Sequence, residues 1–486
     1  MPKASPSKSP SKSAASHKSN TKEKSHPLNS EHFKFLSSAL LTLNKSFENL
    51  PEFKNDVPGD KRLAGVLTAT AERLRDNFPY FHPLYAGQML KPAHPVAQLA
   101  YALAMTINPN NHALDGGRAT SAMEKEAVAQ LATMFGWTNF LGHLCSGGTM
   151  ANLEALWVAA QSAPGKTILA NSQSHYTHER ISKVLQLPFE TIPSDARGRI
   201  DLKLLEKRLK RHGVGTVVVT MGTTATGAVD PLHEILALRT KYNFRVHADA
   251  AYGGYFILVE NLQSDTQKAF AALGEADSIA IDPHKHGLQP YGCGCILFKD
   301  PGVGRWYKHN SPYTYFTSTD LHLGEISLEC SRPGAAAAAL WATQKLLPLT
   351  KREEFAEGLA KSREAARALY GRLTRDARFI TPFAPELDIL IFALRADSVS
   401  ATSLLSRRIF DAAAQLDLHL ALADLPLHLF QNLPLNMKRD RDTITCLRSV
   451  LMKPAHLDWV DQIWERILAS VADVENRKTQ ISRRSK

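Results

Sequence analysis

The sequence predicts an α/β protein in which a mostly parallel sheet covered by helices is followed by a smaller α+β unit. Two patterns lead to this prediction. From about residue 120 to 345, short apolar, β-branched segments alternate with segments of helical periodicity, as they do in parallel sheets. Beyond about residue 350, a long helical segment precedes strands and helices in a different order. A chain of 486 residues is also long enough for two or three structural units.

Five strands are expected in the first unit because each segment is short, apolar and rich in β-branched residues. They lie at 166–170, 217–221, 244–247, 278–282 and 293–298. Helices are expected where apolar residues recur at helical spacing, at 123–135, 150–160, 202–212, 231–241 and 335–342. The second unit is expected to contain helices at 353–373, 402–415 and 457–472 and strands at 387–394, 418–422 and 443–448.

The two ends of the chain carry most of its charge. Residues 1–28 hold six Lys and one Glu, and residues 477–486 hold five Lys or Arg and no acid. Together they account for +10 of the formal net charge of +11. Because basic tails attract nucleic acid only weakly and without specificity, no specific nucleic-acid partner is predicted. We expect a disordered basic tail at 1–28, a helical arm at 29–110, a large domain at 111–345, a small α+β domain at 346–476 and a second basic tail at 477–486.

Composition favours a cytoplasmic location. No run of about 18 apolar residues occurs, so no membrane span is predicted, and the first residues lack the apolar segment of a signal peptide. The five cysteines are odd in number and scattered, as expected of a reduced chain. Cys293-Gly-Cys295 has no second Cys/His pair at zinc spacing, so no metal site is predicted.

A lysine and an aspartate follow two of the predicted strands. Lys285 lies three residues after the strand at 278–282, and Asp249 lies two residues after the one at 244–247. Because parallel strands present their carboxyl ends at one edge of a sheet, the two side chains are expected to lie near each other. Pyridoxal phosphate requires this pair: an amine that condenses with its aldehyde, and a carboxylate that keeps its pyridine nitrogen protonated. A snorkelling lysine and an unrelated aspartate are the alternative.

Small and polar residues at the same edge suit the rest of the cofactor. Ser146-Gly-Gly148-Thr149 opens a helix, where backbone N–H groups and the helix dipole favour a phosphate; a plain helix start is the alternative. His175 follows the strand at 166–170 and could stack on a pyridine ring or serve only as a satisfied polar residue. Thr224 follows the strand at 217–221 and could be part of an ordinary turn. His284 could bind phosphate, tune the amine, or form a structural hydrogen bond.

Five motifs occur in the order in which a known family carries them. They are Ser146-Gly-Gly-Thr-x-Ala-Asn152, His175, Gly222-Thr-Thr224, His247-x-Asp249-Ala-Ala-Tyr-Gly-Gly254 and Asp282-Pro-His-Lys285. Together they resemble the group II pyridoxal-phosphate-dependent amino acid decarboxylases, over about residues 80–350. The resemblance implies the aminotransferase-like pyridoxal phosphate fold (fold type I), with a seven-stranded, mostly parallel sheet. It also implies a homodimer in which the helical arm packs on the partner subunit.

The resemblance assigns roles residue by residue. Lys285 would carry the cofactor, Asp249 would pair with its pyridine nitrogen, and His175 would stack on its ring. Ala251 would cover the other face of the ring, and Thr224 would lie near the ring and its phosphate side. Gly148, Thr149 and His284 would bind the phosphate. The implied reaction is decarboxylation of an L-amino acid to the primary amine and carbon dioxide.

The substrate and the proton donor are less closely defined. Relatives carry a Tyr that protonates Cα in a loop after the lysine, and Tyr315 lies in such a region; His175 or a water is the alternative donor. Arg332 could face a substrate or a phosphate, where it would suit an acidic amino acid; a simple surface salt bridge is the alternative. Tyr85 would suit an aromatic one. Two other functions stay open: another carbon–carbon lyase or aldehyde-forming synthase with the same cofactor, and a non-catalytic scaffold with basic tails.

Overall fold

The structure is a computed structural model that describes residues 28–51, 61–308 and 321–484. The chain divides into two units, one up to Leu50 and one from Pro51 onward. The first unit contains helix α1 (Ser30–Lys45), which begins after Asn29 because the Asn29 side chain accepts hydrogen bonds from the first free N–H groups. The boundary falls within the predicted arm of 29–110. The predicted disorder of 1–28 concerns residues that lie, except for Leu28, outside the described ones.

The second unit contains the remaining α-helices and all strands of the described residues. The helices are α2 (Lys61–Leu74), α3 (Pro95–Met105), α4 (Leu114–Met134), α5 (Gly148–Ser162), α6 (Thr177–Val184), α7 (Leu202–Leu209), α8 (Leu232–Tyr242), α9 (Ser264–Ala271), α10 (Gly334–Leu346), α11 (Glu354–Arg375), α12 (Val399–Ala414) and α13 (Val460–Arg484). The strands are β1 (Leu141–Cys145), β2 (Thr167–Asn171), β3 (Phe189–Ile192), β4 (Val214–Thr220), β5 (Arg245–Asp249), β6 (Ser278–Ile281), β7 (Gly294–Phe298), β8 (Phe379–Ile380), β9 (Ile389–Leu394), β10 (Ala421–Pro426) and β11 (Thr443–Val450).

The large sheet has seven strands within the described residues, in the order β1-β7-β6-β5-β4-β2-β3. Strands β2 to β6 pair in parallel, whereas β7 is antiparallel to both of its neighbours, β1 and β6. Strands β2 and β4 to β7 are largely buried, as expected of a parallel sheet with helices on both faces. The predicted mostly parallel, seven-stranded fold is confirmed. Strands β1 and β3 had no counterpart among the segments expected from local pattern.

The second sheet is antiparallel, with the order β10-β11-β9-β8. Helices α11, α12 and α13 contribute Leu369, Ile409 and Ile467 to the apolar core on one of its faces. The predicted C-terminal α+β part of the fold is confirmed. In the part of the chain that the structure describes, every helix is too short or too polar to cross a membrane.

The carboxyl ends of strands β1, β2, β4, β5 and β6 lie at a common edge of the large sheet. Strands β2, β4, β5 and β6 run in parallel, and β1 runs with them because β7 is antiparallel to both β1 and β6. The segments that follow β1, β2, β4, β5 and β6 therefore emerge side by side. Ligands of open α/β sheets bind at this carboxyl edge.

Candidate active site

A cavity of about 300 Å³ lies at the carboxyl edge of the large sheet. Its wall consists of residues from five separate segments: Ser146, Gly147, Gly148, Thr149, Met150, Asn152, His175, Thr177, Thr220, Gly222, Thr224, Asp249, Ala251, Tyr252, Asp282, His284 and Lys285. Eight of the candidates named from the sequence are among them: Gly148, Thr149, His175, Thr224, Asp249, Ala251, His284 and Lys285. The structure therefore brings these eight residues together around one cavity.

Lys285 presents an amine to this cavity. Its Nζ lies 2.9 Å from Asp282 Oδ2, in a turn that directly follows β6. Burial lowers the pKa of the Lys285 ammonium, but the carboxylates of Asp282 and Asp249 outweigh burial and raise the pKa above its ordinary value. The amine is therefore held protonated until a ligand or a base removes its proton.

Asp249 presents a carboxylate from the end of β5. His178 Nε2 lies 2.8 Å from its Oδ2, and the backbone N–H of Ala251 donates to Oδ1 at 3.2 Å. Burial opposes ionisation, but the hydrogen bond from His178 and the charge of Lys285 hold the pKa of Asp249 below its ordinary value. Each carboxylate oxygen has two lone pairs, so Asp249 can still accept a hydrogen bond from the cavity.

The turn from β1 into α5 forms a cradle of backbone. Gly147, the residue that caps α5, gives the helix no side-chain hydrogen bond, so the first N–H groups of α5 are open to a ligand. A Cβ on Gly294 of β7 would stand 2.5 Å from Gly147 Cα, so glycine alone allows this approach. Among the described residues, His284 Nδ1, Thr220 Oγ1 and Asp282 Oδ1 are buried without a hydrogen-bond partner.

These observations test whether pyridoxal phosphate suits the site. The cavity offers an amine, an ionised carboxylate, uncapped N–H groups at a helix start and buried polar atoms with free bonding capacity. Phosphate binds at such helix starts, and the amine and carboxylate match the aldehyde and the ring nitrogen. The residues present fit the cofactor.

His175, Ala251 and Thr224 occupy the remaining wall. The His175 Nδ1 atom lies 2.8 Å from Thr177 Oγ1, which orients the ring. Burial lowers the pKa of His175, so the ring is neutral at pH 7. His175 and the small Ala251 both line the cavity, as the resemblance to the family requires.

Two of the residues expected near the substrate, Arg332 and Tyr85, do not line the cavity. Arg332 is buried and donates to Glu124 Oε1 at 2.7 Å and to the Leu144 carbonyl. Its guanidinium therefore binds groups of the protein interior. Tyr85 is also buried, with its ring against His419 and Tyr80. Tyr315 lies outside the described residues.

Two residues of the site had not been singled out from the sequence. His178, fully buried, contacts Asp249, and Asp282 contacts Lys285. Asp282 stood in a quoted motif without a role. The signal for His178 was present in Ser174-His-Tyr-Thr-His178, which offers two histidines one helical turn apart after a strand, but only the fold shows which of them reaches Asp249.

Comparison with known proteins agrees with this geometry. Residues 77–395 match the family model described as "Pyridoxal-dependent decarboxylase conserved domain". An L-tyrosine decarboxylase of Enterococcus faecium is 29% identical over 385 residues, covering 58% of this chain and 63% of the relative. A probable L-tyrosine/L-aspartate decarboxylase of Methanothermobacter thermautotrophicus is 29% identical over 262 residues, covering 53% of this chain and 70% of the relative.

Solved structures share the fold at lower identity. The 4-hydroxyphenylacetaldehyde synthase of Rhodiola rosea superposes with a TM-score of 0.71 at 16% identity, covering 92% of this chain and 100% of that one. The chain spans less than two thirds of the length of the L-tyrosine decarboxylases it matches. The chain belongs to the pyridoxal-dependent decarboxylase family, and pyridoxal phosphate is its cofactor.

Proposed function

We propose that the chain catalyses the decarboxylation of an L-amino acid to the primary amine and carbon dioxide. The observation that carries the proposal is the meeting of Lys285 and Asp249 in one cavity beside the uncapped start of α5. A scaffold would have no physical need for a buried amine and a buried carboxylate, because desolvation of each buried charge costs several kcal/mol of free energy. The scaffold alternative therefore has no support beyond the basic tails.

The residues of the site divide the work between them. Pyridoxal phosphate, when bound, supplies an aldehyde for the amine and a ring that withdraws electrons from Cα. The Lys285 amine holds the cofactor and exchanges protons, and the Asp282 carboxylate 2.9 Å away stabilises its charged form. Asp249 would accept a hydrogen bond from the ring nitrogen, and the start of α5 would bind the phosphate. His175 would lie against the ring and limit its movement.

An aromatic amino acid is the proposed substrate, with L-tyrosine tested first. Support comes from the relatives, which are named as L-tyrosine decarboxylases. An acidic substrate held by Arg332 has less support, because the Arg332 guanidinium is engaged by Glu124. A side-chain pocket lined by Tyr85, and protonation of Cα by Tyr315 or His175, stay proposals.

An aldehyde-forming reaction is the second candidate. It stays open because the same cofactor supports both reactions; the likeness to the Rhodiola rosea synthase, at 16% identity, concerns the fold alone. Products separate the two: the decarboxylase yields carbon dioxide and amine in equal amounts, whereas the synthase consumes dioxygen and water and yields carbon dioxide, aldehyde, ammonia and hydrogen peroxide. Another carbon–carbon lyase would retain the carboxylate.

A homodimer is proposed as the working form. Helix α1 has no buried residue and exposes Phe33, Phe35 and Leu41, and α2 likewise exposes Val66 and Leu67. Apolar patches of this kind mark interaction surfaces, and the family resemblance names a second copy as the occupant. Phe35→Ser with Leu41→Ser is expected to lower the mass measured by light scattering to that of one chain. The domain limits at 110, 345 and 476 and the cytoplasmic location also stay proposals.

The absorbance spectrum tests the proposed function. Wild-type protein mixed with pyridoxal phosphate is expected to show a visible band that is absent from Lys285→Ala. Lys183→Ala is the matched control, because Lys183 is exposed and pairs only with Glu179 on the surface. Adding L-tyrosine should then release carbon dioxide and tyramine from wild type and the control. A wild type without a band would overturn the proposal.

A further inference from the structure

His178 makes a direct contact with the residue that faces the ring nitrogen. Its imidazole is completely buried, and its Nε2 atom lies 2.8 Å from Asp249 Oδ2. Because an ionised carboxylate only accepts hydrogen bonds, Nε2 must carry the hydrogen. His178 lies in the first turn of α6, and Asp249 ends β5, so the contact joins two elements that are 71 residues apart in sequence.

The other nitrogen of His178 indicates which form of the ring is present. Nδ1 is buried and has no hydrogen-bond partner in the described part of the chain. An imidazolium would leave an N–H unpaired there, at a cost that a bare lone pair avoids. The geometry therefore favours the neutral ring with its hydrogen on Nε2, which gives a fixed donor with one acceptor.

Three other titratable side chains lie near His178 and Asp249: His247, Lys285 and His175. His247, whose ring centroid lies 6.4 Å from that of His178, is engaged on both nitrogens by Ser278 and Asn152. Burial lowers the pKa of His247 to about 3, so it is neutral. Lys285 and the neutral His175 face Asp249 from the cavity side. His178 thus contacts the Asp249 carboxylate from outside the cavity wall, through Oδ2.

We propose that His178 is a positioning residue for the cofactor's ring: its Nε2–H group fixes the Asp249 carboxylate in the ionised state and in the orientation that keeps the ring nitrogen protonated. The inference rests on the proposed function only through the cofactor. Without this donor, a buried carboxylate gains a proton more readily or rotates, and either change weakens its hold on the ring nitrogen. A ring that has lost its positive charge holds a proton on the Lys285 nitrogen more tightly.

Three variants test the proposal on the cofactor itself. His178→Phe removes the donor, and His178→Gln replaces it with an amide N–H of similar reach. His143→Phe is the matched control, because His143 is also a buried histidine whose Nε2 lies 2.9 Å from a carboxylate, that of Glu154, but it does not line the cavity. Two quantities are measured: the dissociation constant for pyridoxal phosphate and the pH at which the visible band titrates.

We expect His178→Phe to weaken cofactor binding on the order of tenfold or more, as for loss of a hydrogen bond to a charged group. Its band should titrate at a higher pH than that of wild type. His178→Gln should recover most of both values, and His143→Phe should match wild type in both even if it unfolds more easily.

Wild-type binding and titration in His178→Phe would overturn the inference. If that variant does not fold, His178→Asn, whose shorter amide cannot reach Asp249, takes its place with the same two outcomes. A wild type that gives no band would instead overturn the proposed function, so the two failures are distinguishable.

Discussion

Gly148 lies so close to Asp282 that a Cβ at residue 148 would stand 2.7 Å from the Oδ2 atom of the carboxylate. That same oxygen lies 2.9 Å from the Lys285 amine. The start of α5 and the lysine turn are therefore in contact through Asp282. The segment proposed to bind the phosphate and the segment proposed to bind the aldehyde therefore constrain each other's position.

A methyl group at residue 148 is expected to disturb both segments. Gly148→Ala should weaken binding of pyridoxal phosphate at least tenfold, because the new Cβ must displace either Asp282 or the first turn of α5. Equilibrium titration of the visible band measures the effect. Gly371→Ala is the control: Gly371 lies in α11 with open space around it, so alanine should leave binding unchanged and stabilise the helix by about 1 kcal/mol.

Loss of the charge on Asp249 should separate binding of the cofactor from turnover. Asp249→Asn keeps the size of the side chain, but a neutral amide cannot hold the ring nitrogen protonated. We expect the visible band to persist, since Lys285 is intact, while kcat falls on the order of 100-fold or more, as for removal of one charge-stabilising group. Asp376→Asn, which alters an exposed pair with Arg378, should retain wild-type kcat. Full turnover by Asp249→Asn would refute the assigned role.

The buried pair of Arg332 and Glu124 is expected to contribute to the free energy of unfolding. Glu124 also accepts hydrogen bonds from the Leu144 backbone and from Asn111 at 3.0 and 2.6 Å. Arg332→Met leaves this carboxylate unpaired, which should cost about 3–5 kcal/mol of unfolding free energy. Combining it with Glu124→Gln should recover part of the loss in a double-mutant cycle. A raised KM without loss of stability would instead favour the substrate role expected from the sequence.

The stability of the chain should depend on pH through Asp388. Its Oδ1 accepts from the Tyr252 hydroxyl at 2.6 Å, and burial raises its pKa to about 6. An unfolded aspartate titrates near pH 3.9, so the folded state binds the extra proton between about pH 4 and 6, and stability falls as pH rises through that window. Asp388→Asn removes this titration while keeping an acceptor for Tyr252.

The variant's gain over wild type should therefore grow from pH 4 to pH 6 by on the order of 2–3 kcal/mol and stay level above it. Thermal unfolding at a series of pH values measures it. Asp411→Asn, at an exposed position on α12, should follow the wild-type profile. A constant difference between Asp388→Asn and wild type at all pH values would contradict the prediction.

Local sequence pattern predicted the strands of the large sheet that are buried along most of their length. Strands β2, β4, β5, β6 and β7 are largely buried, each contains at least one β-branched residue, and each was expected within a few residues of its position. Strand β1, Leu141-Gly-His-Leu-Cys145, contains a glycine and a histidine, and β3, Phe189-Glu-Thr-Ile192, is half-exposed at the sheet edge. Neither has the composition of a buried strand, so pairing with neighbours decides their structure.

The same distinction applies to the site. Lys285, Asp249 and Gly148 follow strands or open a helix, so their positions at the sheet edge could be predicted from order along the chain. Contacts between side chains from distant segments could not. His178 reaches Asp249, and Arg332 reaches Glu124, through packing that local pattern does not encode.

The position of β7 also affects the stage of synthesis at which the cavity can form. Among the described residues, β1 joins the large sheet only through β7, which lies about 150 residues later in the chain. A nascent chain that has emerged only to Lys285 contains every segment of the cavity wall, yet the turn after β1 has no strand to anchor it. We therefore expect stable binding of the cofactor only after the chain has been synthesised beyond Phe298, because the turn after β1 is then held by the pairing of β1 with β7.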